Sequence, residues 1–153
     1  MLQRIQSIYL LLAALAIYAL FLFPFVHNVI VDGRPVTISV RGVFQDTNGQ
    51  HTQFFAGLTA ATAIMGLIPL VIIFLYKNRK QQIALCYSAI LVIFGYSFWM
   101  AQEVKGVMGS IEIDTHNWGI GLLLSSISIV FIIFAFKAIQ RDEKLVKSAD
   151  RLR

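Results

Sequence analysis

The sequence predicts an all-α membrane protein: a four-helix transmembrane bundle with a small extracytoplasmic β-hairpin or sheet built from its two outer loops, and both termini cytoplasmic. Three observations predict it. Of the 153 residues, 58% are apolar and only 14% charged, where about 25% charged is usual for a soluble domain. The apolar residues gather into four long runs without charge, and Lys and Arg fall mostly on one side of those runs.

A chain this poor in charge cannot cover itself with polar surface, which excludes a soluble enzyme, a disordered tail and a nucleic-acid-binding module. A bilayer core of about 30 Å takes roughly 20 apolar residues in a helix. The runs at residues 7–26, 53–76, 83–101 and 118–136 meet that length with no Asp, Glu, Lys, Arg or His in their interiors. They imply one integral membrane domain over residues 1–153, with outer loops at 27–52 and 102–117. The first run, although it follows Arg4 and contains Ala14-Leu15-Ala16, continues apolar to Val26. That is a poor cleavage boundary, so it reads as a retained span.

Orientation follows from the basic residues beside the spans. Arg4, Lys77, Arg79, Lys80, Lys137, Arg141, Lys144, Lys147, Arg151 and Arg153 stand on one side, and only Arg34, Arg41 and Lys105 on the other, ten against three. The side with ten is read as cytoplasmic. Trp99 and Trp118 fall at the outer boundary, Tyr9 and Tyr76 at the inner one.

In the first outer loop, Val29-Ile30-Val31 and Val36-Thr37-Ile38-Ser39-Val40 flank Asp32-Gly33, a dipeptide suited to a tight hairpin turn. Pro35 lacks a donor and must sit at an edge or bulge. The second outer stretch, Val104 to Asp114, offers a third strand, and Asp46 to Gln50 a polar turn.

Catalytic apparatus is not visible. There is no Gly-rich phosphate loop, metalloprotease helix, nucleophile elbow or Cys-x-x-Cys. The one cysteine, Cys86, lies in an apolar run without a nearby cation or histidine to activate it. The chain reads as non-enzymatic and needs no cofactor. In the second span Ala56, Gly57, Thr59, Ala60, Ala61, Thr62, Ala63 and Gly66 form a small-residue stretch, and Gly121, Ser125 and Ser128 do so in the fourth. Small residues let helices approach closely, so these two faces are expected to meet. Pro69 should kink the second span.

Two residue sets are candidates for function. His27, His51 and His116 all lie near the outer boundary, with Glu103 and Asp114 at similar depth. Imidazoles with a carboxylate make a competent zinc or copper set. At the other side, residues 137–153 contain no Gly or Pro, and Ala138, Leu145, Ala149 and Leu152 recur at helical spacing, so the fourth helix should run on into the cytoplasm. Its basic residues suit anionic headgroups. Leu145, Val146 and Leu152, with Arg151 and Arg4, suit docking to a membrane-protein partner or a second copy. The primary reading is an accessory or structural subunit of a membrane complex; the alternatives are an outer-face metal or small-ligand binder and, third, a small transporter. The partners are the lipid bilayer and protein, not nucleic acid.

The opening Met1-Leu2-Gln3-Arg4-Ile5-Gln6-Ser7-Ile8-Tyr9 and the closing Arg141-Asp142-Glu143-Lys144-Leu145-Val146-Lys147-Ser148-Ala149-Asp150-Arg151-Leu152-Arg153 resemble a bacterial family of small four-span membrane proteins classed as a domain of unknown function. The resemblance implies a bacterial cytoplasmic (inner) membrane location and carries no functional residues with it. It suggests that Gln3, Arg4, Gln6, Asp150 and Arg151 gather at the inner face, where topology would let Arg4 pair with Asp142, Glu143 or Asp150.

Overall fold

The computed structural model describes residues 2–31, 33–45, 51–76, 78–109 and 115–151, with side chains for all of these except 2–4, 51, 115, 147 and 149–151. Among them are four helices, α1 (Leu2–Ala19), α2 (Ala56–Phe74), α3 (Arg79–Met108) and α4 (Gly121–Arg151), and four strands, β1 (Val26–Val31), β2 (Arg34–Ser39), β3 (Gly42–Gln45) and β4 (His51–Phe54). The helices alternate in direction. Helix α1 packs most extensively on α4 and next on α2, while α3 packs on α4 and α2.

Each apolar run forms a helix, but its limits shift from the sequence reading for identifiable reasons. The first run stops being α-helical at Ala19. Leu20, Phe21 and Leu22 donate to carbonyls three residues back, a tightened last turn. Pro24 follows and disfavours helix at the residue before it, so residues 20–25 are turn and Val26 opens a strand. The second run begins at Ala56 rather than at Gln53, because residues 51–54 pair as β4 with β3. Helix α3 runs past Ala101 to Met108 and ends at Gly109, whose φ of 60° takes the chain out of the helix. The fourth run starts at Gly121 and continues into the expected charged extension.

The small antiparallel sheet has the order β1-β2-β3-β4. Its four strands all come from the first loop, not from both. Val104–Met108, expected as strand, is the end of α3, and Ser110–Asp114 lies outside the described residues, as does the Asp46–Gln50 turn. Just after the second loop, Trp118 forms an isolated bridge with Val26. The expected hairpin is present: Val31 pairs with Arg34 across a two-residue turn, with Gly33 at φ 77°. Ile30 opposite Pro35 is then a non-hydrogen-bonded pair, so the proline nitrogen faces away from β1. Pairing with β3 begins only at Val36, so the missing donor costs the ladder nothing.

The sheet buries Val26, Val29, Val36, Ile38 and Val43 in the same apolar core as Leu10, Ile17, Leu20, Ile93, Met100 and Ile132. It is fastened to the helices by backbone. Phe55 N–H donates to Arg41 O, Thr59 Oγ1 to Val40 O, Gly119 N–H to Phe25 O at 2.7 Å and Gly121 N–H to Pro24 O. Gly119 and Gly121 allow this approach, since a Cβ at either would run into the Pro24 carbonyl.

The two small-residue faces do not meet each other, because α2 and α4 are not neighbours. Gly66 of α2 receives the Tyr18 ring of α1, Gly57 lies under Trp99 of α3, and Thr62 pairs with Tyr96 of α3. On α4, Ser128 Oγ donates to Ala13 O of α1. The α2 face accommodates larger side chains from α1 and α3, and the α4 face bonds the backbone of α1.

Candidate functional site

At the sheet end, the sequence-predicted metal ligands are spread over separate elements. His27 is half-buried on β1 and His116 is exposed in a 3-10 turn (Thr115–Asn117) that packs against β1. His51 lies on β4, at the far edge of the sheet. With about 4.8 Å between neighbouring strands, the backbones carrying His27 and His51 stand roughly 14 Å apart. Glu103, half-buried on α3, accepts a hydrogen bond from Trp99 Nε1 at 2.9 Å. Asp114 is outside the described residues. Among those described, no three His, Cys, Asp or Glu residues lie together as a metal site.

A cavity of about 490 Å³ lies between the sheet and the end of α3. Val36, Val43 and Val107 supply apolar walls, and Arg34, Gln45, Thr52 and Gln53 supply polar groups. Sequence reasoning missed it. The pairing of β3 and β4 creates its polar lining, whereas in the sequence Gln53 reads as the start of an apolar run.

At the opposite end, a buried polar node joins three helices. Gln6 Nε2 of α1 donates to Asp142 Oδ2 of α4 at 2.6 Å and lies 3.4 Å from Ala138 O. Arg79 of α3 donates to the Asp142 carbonyl. Nearby in sequence, Gln82 Nε2 donates to Ile72 O at 2.9 Å and pins the α2–α3 turn. Gln6, Gln82 and Asp142 are all buried. Their signal in the sequence was polarity at the margins of apolar helices, which marks a position but not its partner. The Asp142 side chain is met by Gln6; the side chain of Arg4 is outside the described set.

Beyond this node α4 projects as a helix. Leu145 is 51% and Val146 46% exposed. Arg151 belongs to the helix, its side chain is not described, and Leu152 lies outside the described residues. Inside the apolar region, side-chain hydroxyls serve the backbone. Thr62 donates to Leu58 O, Ser125 to Leu122 O and Ser128 to Ala13 O. Cys86 is fully buried.

Three helices, α2, α3 and the Gly121–Val146 part of α4, are long and apolar enough to cross a membrane, and no more than a third of each apolar window is buried within the protein. Large apolar side chains such as Leu67, Phe74, Leu91, Phe94 and Leu123 point outward along their length. Exposure on this scale requires an apolar surrounding. The fold defines a mostly helical, multi-pass membrane protein with a small antiparallel sheet at one end. The chain belongs to the family described as Domain of unknown function (DUF4293), which matches residues 2–152. No curated protein and no solved structure matches it.

Proposed function

We propose that the protein is a non-enzymatic accessory or structural subunit of a membrane complex of the bacterial cytoplasmic membrane. In this reading α1 is a fourth span, the helices form a four-span bundle, both termini are cytoplasmic and the sheet is extracytoplasmic. The observation that carries it is the exposure of Leu145 and Val146 on a helix already past Lys137 and Arg141. A stretch serving only as a charged anchor has no need of two large apolar side chains that the rest of the protein leaves uncovered. A helix face of this kind suits a groove on a partner.

The test is affinity purification of the full chain in mild detergent at native expression, with mass spectrometry of what accompanies it. A stoichiometric protein partner is expected. Truncation after Gln140, or the pair Leu145→Gln and Val146→Gln, should abolish the association while the protein still inserts. Association that survives both changes would overturn the role of the tail.

The cavity beneath the sheet favours a second reading, an outer-face binding protein for a small ligand. Among the described residues lining it Arg34 is the charged one, which suits an anionic ligand. Arg34→Gln would then weaken ligand retention without altering partner association.

A further inference from the structure

We propose that the groove between α1 and α4, at the end away from the sheet, is a specific site for one anionic glycerophospholipid of the adjacent leaflet. It rests on the reading of this chain as membrane-spanning and is independent of any protein partner. The groove, about 350 Å³, is lined by Ile5 and Tyr9 of α1 and by Phe134, Lys137, Ala138 and Arg141 of α4. Along α4 its lining passes from apolar Phe134 to basic Lys137 and Arg141, while α1 supplies an apolar wall throughout. Ile5, Tyr9 and Phe134 form an apolar trough, and the Tyr9 and Phe134 rings lie 5.7 Å apart. Lys137 and Arg141 border it on the α4 side, beyond Phe134.

That division matches a phospholipid lying along the helices. Residues 121–136 contain no charge, so Lys137 is the first charged residue α4 meets on leaving its apolar stretch, the depth at which lipid phosphates lie. Lys137 and Arg141 are four residues apart, so they project from one face about 6 Å apart along the axis. Like charges at this spacing repel mildly in a bare helix. Among the described residues neither is paired with a carboxylate. Asp142 is turned the other way, onto Gln6. A phosphodiester between the two cations removes their repulsion and accepts a fork of hydrogen bonds from the guanidinium, while its acyl chain covers Ile5, Tyr9 and Phe134. The occupant is therefore a lipid whose phosphate carries uncompensated charge. A zwitterionic lipid brings its own cation to compete with Lys137 and Arg141.

Native mass spectrometry of the full-length protein in detergent, titrated with palmitoyl-oleoyl phosphatidylglycerol or palmitoyl-oleoyl phosphatidylcholine, tests this. One phosphatidylglycerol should be retained in preference to phosphatidylcholine, by about tenfold to thirtyfold for two interfacial cations. In Lys137→Gln/Arg141→Gln the preference should vanish, whereas Lys80→Gln, an exposed cation near the start of α3, should keep it. Phe134→Ala should weaken retention with both cations still present. All these side chains are on the surface, so the variants should keep the parent's circular dichroism. The proposal is overturned if the double variant retains the preference, if Lys80→Gln loses as much, or if Phe134→Ala has no effect, since the last two describe diffuse charge attraction. Displacement of the lipid by millimolar glycerol phosphate or inorganic phosphate would reassign the site to a soluble anion and likewise overturn it.

Discussion

Gln6 and Asp142, 136 positions apart in sequence, meet in a 2.6 Å hydrogen bond that closes α1 onto α4 at the end opposite the sheet. Both side chains are buried, so each depends on the other for the bonding it would otherwise have from water. Gln6→Leu leaves the carboxyl of Asp142 without this donor and should destabilise the protein by about 1–3 kcal/mol. Replacing both partners with Leu removes the unmet demand, so the double variant should be less destabilised than the sum of the single changes. Reversible unfolding in mixed micelles reads both effects. Additive losses would show that the two residues are not coupled.

Tyr18 and Gly66 set the distance between α1 and α2. A methyl group at position 66 would come within 2.5 Å of the Tyr18 ring, while the Tyr18 hydroxyl donates to Ala63 O three residues away. The ring therefore cannot withdraw without breaking its own hydrogen bond. Gly66→Ala should cost about 1–3 kcal/mol through overpacking. Combined with Tyr18→Leu it should cost markedly less than the two changes added, as measured by the same unfolding assay.

The sequence made the long apolar helices legible because charge is absent from them, and absence of charge is a local property. Asp32-Gly33 revealed its hairpin for the same reason: the turn is decided by two adjacent residues. What stayed hidden depended on partners. Gln53-Phe54-Phe55 reads as the start of an apolar run, and only pairing with β3 turns residues 51–54 into a strand. Val104 to Asp114 offers a strand through Val107 and Ser110-Ile111-Glu112-Ile113, yet its first part, to Met108, continues a helix already formed before it. The small faces of α2 and α4 announced close packing without naming the neighbour, which is α1 or α3. The polar ends of α1 and α4 were expected to converge; that Asp142 is met by Gln6 was beyond the reach of spacing.

Two glycines should respond oppositely to the same change. Gly42 has φ 142° and lies against the Gln53 carbonyl, so a Cβ there meets backbone that cannot yield without opening the β3–β4 pairing. Gly42→Ala should cost on the order of 1–3 kcal/mol or more, combining strain with a lost strand contact. Gly106, in the last turns of α3, has nothing within 4 Å of its would-be Cβ. There alanine only relieves the conformational freedom that glycine loses in a helix, and stability should rise by up to about 1 kcal/mol. Equal effects at the two sites, in thermal or denaturant unfolding, would contradict the packing described.

The proposed orientation can be read from two positions at opposite ends of the fold. Ile30 is 65% exposed on β1, Lys144 is exposed on the extension of α4, and the native thiol, Cys86, is fully buried and should stay silent. In right-side-out vesicles a membrane-impermeant maleimide should label Ile30→Cys at once and Lys144→Cys only after permeabilisation. The force behind this arrangement is the ten-to-three division of Lys and Arg between the two ends, which disfavours moving the basic end across the bilayer. If Lys144→Cys were labelled first, the orientation would be inverted. The tail would then face away from any cytoplasmic partner and the cavity beneath the sheet would face the cytoplasm. Labelling of both from one side would mean that the apolar helices do not cross at all. Only the expected pattern puts the proposed docking helix on the cytoplasmic side and the proposed ligand cavity on the outer side of the membrane.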